Sequence, residues 1–325
     1  MNVLYILAGI LILILGGELL VRGAINVALR FHISTLVVGM TVVSFGTSAP
    51  ELLVSLEAMF TGYPGIAVGN VVGSNIANLA LVLGVTAIIF PISVSKNSYK
   101  IDWPMLMFSS FLVLGFMWMN YDPMMGDGYD AKLTHWNGWV MVALLIWFSV
   151  YLIRKSRKHT KALQAEKESV VEIPKSSIMV DVLFIILGSI GLSIGAHFLV
   201  QGTVGLASVL GISDYVISAT IVAFGTSLPE LITSAVAAFK RQSDLSVGNL
   251  IGSNIFNLLG IVGVTAIFKE IPISARVLNN DMWWVIGISA LIFPLMITGK
   301  KINKWEGFAL LAIYSFYIYF VVTKG

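Results

Sequence analysis

The feature that most constrains this chain is a six-residue block that occurs twice inside apolar sequence. Gly46-Thr47-Ser48-Ala49-Pro50-Glu51 recurs as Gly225-Thr226-Ser227-Leu228-Pro229-Glu230, at an offset of 179 residues. Each block sets a carboxylate beside a proline within a run long enough to cross a membrane. A carboxylate at the centre of a bilayer helix costs roughly 2.5–3.5 kcal/mol on insertion scales. A proline in a helix interior costs about 3 kcal/mol, through one lost hydrogen bond and a clash with the carbonyl four residues back. Both penalties fall on adjacent residues, twice. Packing has no use for such a constellation, and we read the blocks as two halves of one ion site.

The repeat extends well beyond the blocks. The same offset relates Gly16 to Gly195, Asn78 to Asn257 and Asp102 to Asp281. Between Gly39 and Gly84 the match is ungapped, with close to half the residues identical. It includes a second block, Gly69-Asn70-Val71-Val72-Gly73-Ser74-Asn75-Ile76-Ala77-Asn78, whose partner is Gly248-Asn249-Leu250-Ile251-Gly252-Ser253-Asn254-Ile255-Phe256-Asn257. Later the offset drifts, and Trp136-Asn137-Gly138 answers Trp305-Glu306-Gly307. The chain is a duplication throughout, a reading that precedes any other.

A span needs about 20 mostly apolar residues. Ten stretches qualify, near 3–21, 35–60, 67–91, 103–120, 137–153, 178–200, 213–239, 245–267, 282–298 and 305–322. The run from Val3 has no basic residue before it, as a cleavable signal would, and is kept as a span. Only 11% of the residues are charged, against about 25% in soluble domains. The expected fold is an all-α membrane protein, with ten transmembrane helices in two inverted five-helix repeats. The first repeat occupies 1–153 with its motifs in 39–84, and the second occupies 178–325 with its motifs in 218–263. A charged linker, 154–177, joins them and reads as a solvated segment.

Basic residues near span ends set orientation. With the linker in the cytoplasm, its Arg154, Lys155, Arg157, Lys158, Lys161, Lys167 and Lys175 are joined there by Arg22, Arg30, Lys96, Lys100, Lys240, Arg241, Lys300, Lys301 and Lys304. Only Lys132, Lys269, Arg276 and Lys324 fall outside. Both termini are then extracytoplasmic. Five spans per repeat, an odd number, turn the second copy upside down. Such inverted repeats place substrate ions near the midplane between interrupted helices and permit alternating access.

Pro50 and Pro229 free the carbonyls near Gly46 and Gly225, and broken backbone at that depth is tolerated only inside protein or along a cavity. Freed carbonyls, hydroxyls, carboxamides and carboxylates are all oxygen donors. They suit a hard cation such as calcium, which takes 6–8 oxygens at roughly 2.3–2.6 Å, and sodium, of similar radius. They do not suit zinc or copper, and the absence of cysteine removes thiolate sites and disulfides. Two glutamates also neutralise one divalent ion, which removes most of the desolvation cost of burying it.

Plainer roles compete. Gly39, Gly73, Gly84 and their copies read as close-packing positions. For Ser74, Ser253, Asn78 and Asn257, interhelical hydrogen bonding and ion ligation both stand. Glu18 and Arg22 have the spacing of a helical ion pair. Glu57, about 9 Å beyond Glu51 along a helix, reads as snorkelling to the surface. Asp102 and Asp281 each begin a span, where the helix dipole favours a carboxylate. Trp103, Trp136, Trp139, Trp283, Trp284 and Trp305 read as interface anchors.

The paired blocks resemble the alpha repeats of the sodium/calcium exchanger family, within the cation/calcium antiporter superfamily, across the whole ten-span frame. The resemblance implies four repeat helices around a cluster of cation sites. By position, Glu51 and Glu230 would be shared calcium ligands, completed by the carbonyls of Thr47 and Thr226. Ser48, Ser74 and the Ser44 carbonyl would hold sodium on the cytoplasmic side. Ser227, Ser253 and the Ala223 carbonyl would do so on the external side, with Asn78 and Asn257 between. The calcium-sensing insert of animal exchangers is missing. Some members, including potassium-dependent exchangers, carry aspartate where this chain has Asn257.

The expected function is a sodium/calcium antiporter of the cell membrane, with calcium and sodium as cargo, the lipid bilayer as its setting, no cofactor and no obligatory protein partner. A net charge of +3 does not point to nucleic acid. The alternatives are a calcium/proton antiporter, a branch that tends to carry glutamate where this chain has Ser74 and Ser253, a potassium-dependent exchanger, and a channel. An intramembrane serine protease would need a histidine beside its serine. None of His32, His135, His159 and His197 lies in a repeated block, so the chain is not read as an enzyme.

Asn257 gives a first prediction. A potassium ion beside the loaded site adds positive charge that only Glu51 and Glu230 can balance, and unit charges about 4 Å apart repel by roughly 4 kcal/mol at an effective dielectric of 20. Exchange is expected to persist with choline replacing potassium on both sides, and Asn257→Asp to introduce potassium sensitivity. Flux that stops in choline, with voltage clamped near zero, contradicts this.

Overall fold

Long apolar runs leave the backbone no water to bond, so amides must be satisfied within helices, and the chain is mostly helical. The computed structural model describes residues 2–122, 124, 128–167, 174, 176–209 and 223–324. In chain order the helices are α1 (Asn2–Arg30), α2 (Thr35–Thr47), α3 (Ala49–Phe60), α4 (Pro64–Ile89), α5 (Ser98–Met119), α6 (His135–Lys167), α7 (Ile178–Val209), α8 (Leu228–Phe239), α9 (Ser243–Phe268), α10 (Val277–Lys300) and α11 (Lys304–Lys324). Among the described residues seven helices are long and apolar enough to cross a membrane, or eight if α2 and α3 form one bent span. The expected span 213–239 lies partly outside the described residues.

The all-α expectation needs amendment. Four short strands occur, β1 (Ile92–Ser93), β2 (Tyr129–Leu133), β3 (Ile271–Ser274) and β4 (Lys301–Ile302). They pair antiparallel as β1 with β4 and β2 with β3. β1 precedes α5 and β2 follows it, so each sheet clips one half of the chain to the other at opposite ends of that helix. Two- to five-residue strands carry too little periodicity to be read beforehand.

Burial separates centre from rim. In α4 and α9 the apolar window is 72% and 83% buried, against 28% in α1 and 22% in α7. The helices bearing the Gly-Asn blocks are thus the middle of the molecule. α1 and α7 lie together on its flank and pack backbone to backbone. Glycine recurs every seven residues in both, at Gly9, Gly16 and Gly23 and at Gly188, Gly195 and Gly202, which is close to two helical turns. A Cβ built on Gly16 would lie 2.8 Å from the Leu192 nitrogen, and one on Gly188 2.5 Å from that of Leu20. At one end of this pair the fully buried Asp181 accepts from Arg30 Nη2 at 3.0 Å, Asn26 Nδ2 at 2.8 Å and Ser176 Oγ at 2.6 Å.

Several expectations are corrected by packing. Glu18 pairs with Lys240 of α8, and Arg22 lies over the Phe184 ring at 5.5 Å, so the Glu18–Arg22 pair is not formed. The first part of the expected 154–177 linker is helical, since α6 continues through Lys167. Trp136, Trp139, Trp283 and Trp305 are exposed as anchors should be. Trp103 instead donates to the Ser289 carbonyl at 2.7 Å and stacks on Phe293, and Trp284 packs on Phe316, Tyr317 and Phe320. Gly39 and Gly84 touch backbone of α9 and α11, as close-packing positions should.

The glycine contact gives the second prediction. Gly16→Val forces a branched side chain against backbone, and overpacking of even a core site costs about 1–3 kcal/mol. Its melting temperature in detergent, read by tryptophan fluorescence, should fall by several degrees. Gly115→Ala and Gly287→Ala, where a Cβ meets nothing within 4 Å, should not lower it.

Candidate cation site

Both proline blocks break their helices in the same way. Ser48 has φ −91° and ψ 6°, and Ser227 has φ −88° and ψ 2°. The axis bends by 44° between α2 and α3. Beyond each break the proline occupies the first turn of the new helix, where its missing N–H costs nothing. Glu51 and Glu230 follow in that same turn, at the positive end of the helix dipole. Neither Gly46 nor Gly225 can receive the usual amide, because residue i+4 is proline. Among the described residues, no backbone N–H reaches the Thr226 carbonyl.

Glu51 and Glu230 are both 0% exposed. Among the described residues no ion pair reaches either, and no group of three acidic, histidine or cysteine side chains forms. Ser48 Oγ donates to Glu230 Oε1 at 2.9 Å and so ties the first break to the second carboxylate. Both oxygens of Glu51, Oε2 of Glu230, Oγ of Ser74 and Ser227, and both amide atoms of Asn78 and Asn257 are buried without a hydrogen-bond partner in the protein. One unsatisfied buried polar group costs about 1–3 kcal/mol. So many together, nearly all oxygen donors, fit a hard cation that satisfies several at once.

The hydrogen bonds of these polar residues bear on their two readings. Asn78, Asn257 and Ser74 make no interhelical hydrogen bond. Ser253 Oγ lies 3.4 Å from Thr47 Oγ1. Thr47 Oγ1 also lies 3.2 Å from Asn249 Oδ1, and its one hydroxyl hydrogen is shared between that oxygen and the Ser44 carbonyl. The Ser44 carbonyl accepts the Ser48 amide at 2.9 Å and the Thr47 hydroxyl at 3.3 Å, so it is already engaged by its own turn. Thr226 is half-buried. Ala223 begins the helical turn Ala223–Gly225, just before the second break.

Two features escaped the sequence reading. Asn78 and Asn257 are each the second residue of a π-helical segment, Ala77–Val82 and Phe256–Ile261. Such bulges concentrate at functional sites; only their recurrence at one offset could have pointed to them. Asn70 and Asn249 also hold the breaks in place. Asn70 Nδ2 donates to the Glu51 carbonyl and to Ser55 Oγ, each at 3.2 Å, and Asn249 Nδ2 donates to Ser234 Oγ at 3.1 Å. Ser55 and Ser234, at the repeat offset, lie one turn beyond each glutamate, a signal that was present.

A cavity of about 250 Å³ opens beside the site, lined by Pro50, Ser193, Ala196, His197, Val200, Gly225, Thr226 and Pro229. Asn70 and Thr226 are half-buried, whereas their counterparts Asn249 and Thr47 are fully buried.

The sodium/calcium exchanger protein family matches residues 1–154 and 180–323. The uncharacterized membrane protein MJ0091 of Methanocaldococcus jannaschii is 37% identical over 95% of this chain and 94% of its own length. The sodium/calcium exchanger MaX1 of Methanosarcina acetivorans is 30% identical over 99% of this chain and 98% of its own. Among solved structures, the sodium-calcium exchanger NCX_Mj soaked with zero Na+ and Ca2+ is similar at a TM-score of 0.79 and 34% identity, covering 98% of this chain and 97% of that one.

Proposed function

The chain belongs to the sodium/calcium exchanger protein family, and from that premise we propose that it exchanges sodium for calcium across the cell membrane by alternating access. One observation carries the reading. Two buried glutamates without basic partners, each presented by a proline-broken helix, are tied together through Ser48 and surrounded by unpartnered oxygens. In this reading Glu51 and Glu230 neutralise calcium, with the Thr47 and Thr226 carbonyls beside them. Ser48, Ser74 and the Ser44 carbonyl flank the centre on one side, and Ser227, Ser253 and the Ala223 carbonyl on the other. Asn78 and Asn257 occupy the middle. The engagement of the Ser44 carbonyl within its own turn means that it must give up or share those bonds to meet an ion.

The finer architecture belongs to the same proposal. Ten spans in two inverted repeats, 1–153 and 178–325, would put the 154–177 linker in the cytoplasm and both termini outside. The repeated geometry of the breaks, the π segments and the two sheets supports an internal twofold of this kind. The chain then works as a carrier, not as an enzyme, with the bilayer and its ions as its only required partners.

Coupling to sodium rather than protons is favoured by the donor set. Ser74, Ser227 and Ser253 offer a small cation several oxygens but offer a proton no relay, because none of the histidines lies in a repeated block. Calcium-45 uptake into liposomes should follow an outward-directed sodium gradient and ignore a pH step at fixed membrane potential. Uptake driven by a pH step in sodium-free buffer would transfer the protein to the proton-coupled branch.

The carboxylates give a further prediction. Glu51→Gln and Glu230→Gln keep the side-chain shape while halving the charge available to calcium. Each should reduce calcium flux by about ten- to a hundredfold, the scale of a lost charge-assisted ligand bond, with little change in melting temperature. Near-normal exchange by either variant removes that residue from the shared ligand set.

A further inference from the structure

The repeat offset pairs Asp102 with Asp281, and the two aspartates differ in what answers them. Asp281 is approached by Arg276 at 3.6 Å. At the place of Arg276 the first copy has Asn97, which brings no charge. Asp102 is 1% exposed, and its Oδ2 is buried without a hydrogen-bond partner in the protein. Among the described residues no ion pair reaches it. The charges that act on it are Lys155, of opposite sign, and Asp244, of like sign. Lys155 is engaged elsewhere: its Nζ donates to the Tyr151 hydroxyl at 3.2 Å and lies over that ring at 5.5 Å. A buried carboxylate so placed is costly unless a hydrogen-bonding cation meets it. There is space for one. A cavity of about 100 Å³ is lined by Asn97, Asp102 and, from α6, Lys155, Ser156 and His159. Leu36 and Val37 of α2 complete it. The same two helices, α2 and α6, also line a larger apolar groove of about 640 Å³. Its walls include Phe45 of α2, Ile146 and Val150 of α6 and Ile190 of α7, all exposed. Along α6 the groove and the cavity lie about 10 Å apart, the rise from Ser149 to Ser156.

We propose that the cavity and the groove together form a site for one phospholipid whose headgroup ends in a primary ammonium. An acyl chain lies in the groove, the phosphate meets Lys155 and His159, and the ammonium donates to Asp102. Lys155 and His159 stand in the last two turns of the span His135–Thr160, and both are exposed. Basic groups at that depth are where a headgroup phosphate is met. The groove alone selects nothing, because lipid tails are as apolar as the residues that line it. Selection lies in the cavity. A primary ammonium has three N–H donors for Asp102 and its neighbours, whereas a quaternary ammonium has none. A headgroup with a phosphate alone brings no cation. A bare metal ion would gain the carboxylate but lie beside Lys155, and a zwitterionic headgroup answers both signs. Gly46 and Ala49, on either side of the first break, also line the groove, so the seated chain lies against the bent span itself.

Native mass spectrometry of the intact chain in detergent tests this, with phosphatidylethanolamine and phosphatidylcholine of matched chains added in equal amounts. The parent protein should retain the ethanolamine lipid over the choline lipid by about tenfold, the effect of one charge-assisted hydrogen bond. Asp102→Asn should bring that ratio close to one while the choline lipid is retained as before, which a misfolded variant would not do. Asp281→Asn, which removes the carboxylate that Arg276 already meets, should leave the ratio unchanged. Lys155→Gln and Val150→Trp should each lower retention of both lipids, the first through the phosphate and the second by filling the groove. Equal retention of the two lipids by the parent protein, or a preference that survives Asp102→Asn, overturns the site. Chainless phosphoethanolamine in excess should not displace the lipid. If it displaces the lipid as well as the lipid displaces itself, the ligand is a soluble headgroup and the lipid assignment fails. The readout involves no ion flux, so its failure leaves the exchange reading standing, and failure of exchange leaves the lipid site standing.

Discussion

Two uncompensated carboxylates in a bilayer are the constraint on which everything else depends. Among the described residues no lysine or arginine pairs with Glu51 or Glu230. A buried pair with basic partners would be locked in place; a pair without them is stable only in proportion to the cation it meets. That is the thermodynamic condition for a carrier, because affinity then comes from the cargo and leaves with it. The helix breaks, the dipoles of α3 and α8 and the nearby hydroxyl and carboxamide groups surround these two buried carboxyl groups with polar atoms.

The rest of the fold keeps that site in register while permitting access. α4 and α9 are the most buried helices, and their asparagine blocks cross-link the breaks through Asn70, Asn249 and Asn75, whose Nδ2 donates to the Asn254 carbonyl at 3.4 Å. α1 and α7 are bound to each other along a glycine seam, and they also share a buried apolar cluster with Val38, Val43, Leu228 and Leu245 of α2, α8 and α9. A seam made of backbone contacts resists separation but gives its neighbours few side-chain pockets to grip. The Glu18–Lys240 ion pair ties α1 to the C-terminal end of α8.

The site was more legible in the sequence than the fold that surrounds it. A glutamate beside a proline within an apolar run is costly on two counts, and its recurrence at one offset made Glu51 and Glu230 readable without a structure. Asn70 and Asn249 lie within a repeated motif, but their bonds are not legible there, because a hydrogen bond to a neighbouring helix leaves no periodic trace. The seven-residue spacing of Gly9, Gly16 and Gly23 was equally available, but glycine in membrane helices is common enough to pass for background. Glu18 shows how local spacing misleads. Arg22 stands four residues away on the same helix, and the partner it actually takes, Lys240, is remote in sequence. The π segments and the short strands depend on tertiary contacts that no window of sequence contains.

The two small sheets carry a consequence of their own. Ile92 pairs with Ile302 in one and Leu133 with Ile271 in the other. By the internal repeat, Ile271 is the copy of Ile92, and Ile302 that of Leu133. The two sheets are therefore one contact made twice, the signature of an isologous interface between identical subunits. What looks like loop decoration has the form of a dimer contact preserved within a single polypeptide. Neither half contains a complete sheet, so each would expose a bare strand edge at both ends if it stood alone. The connection through 154–177 then fixes stoichiometry and order of synthesis, while recognition between the halves is written into the strands themselves.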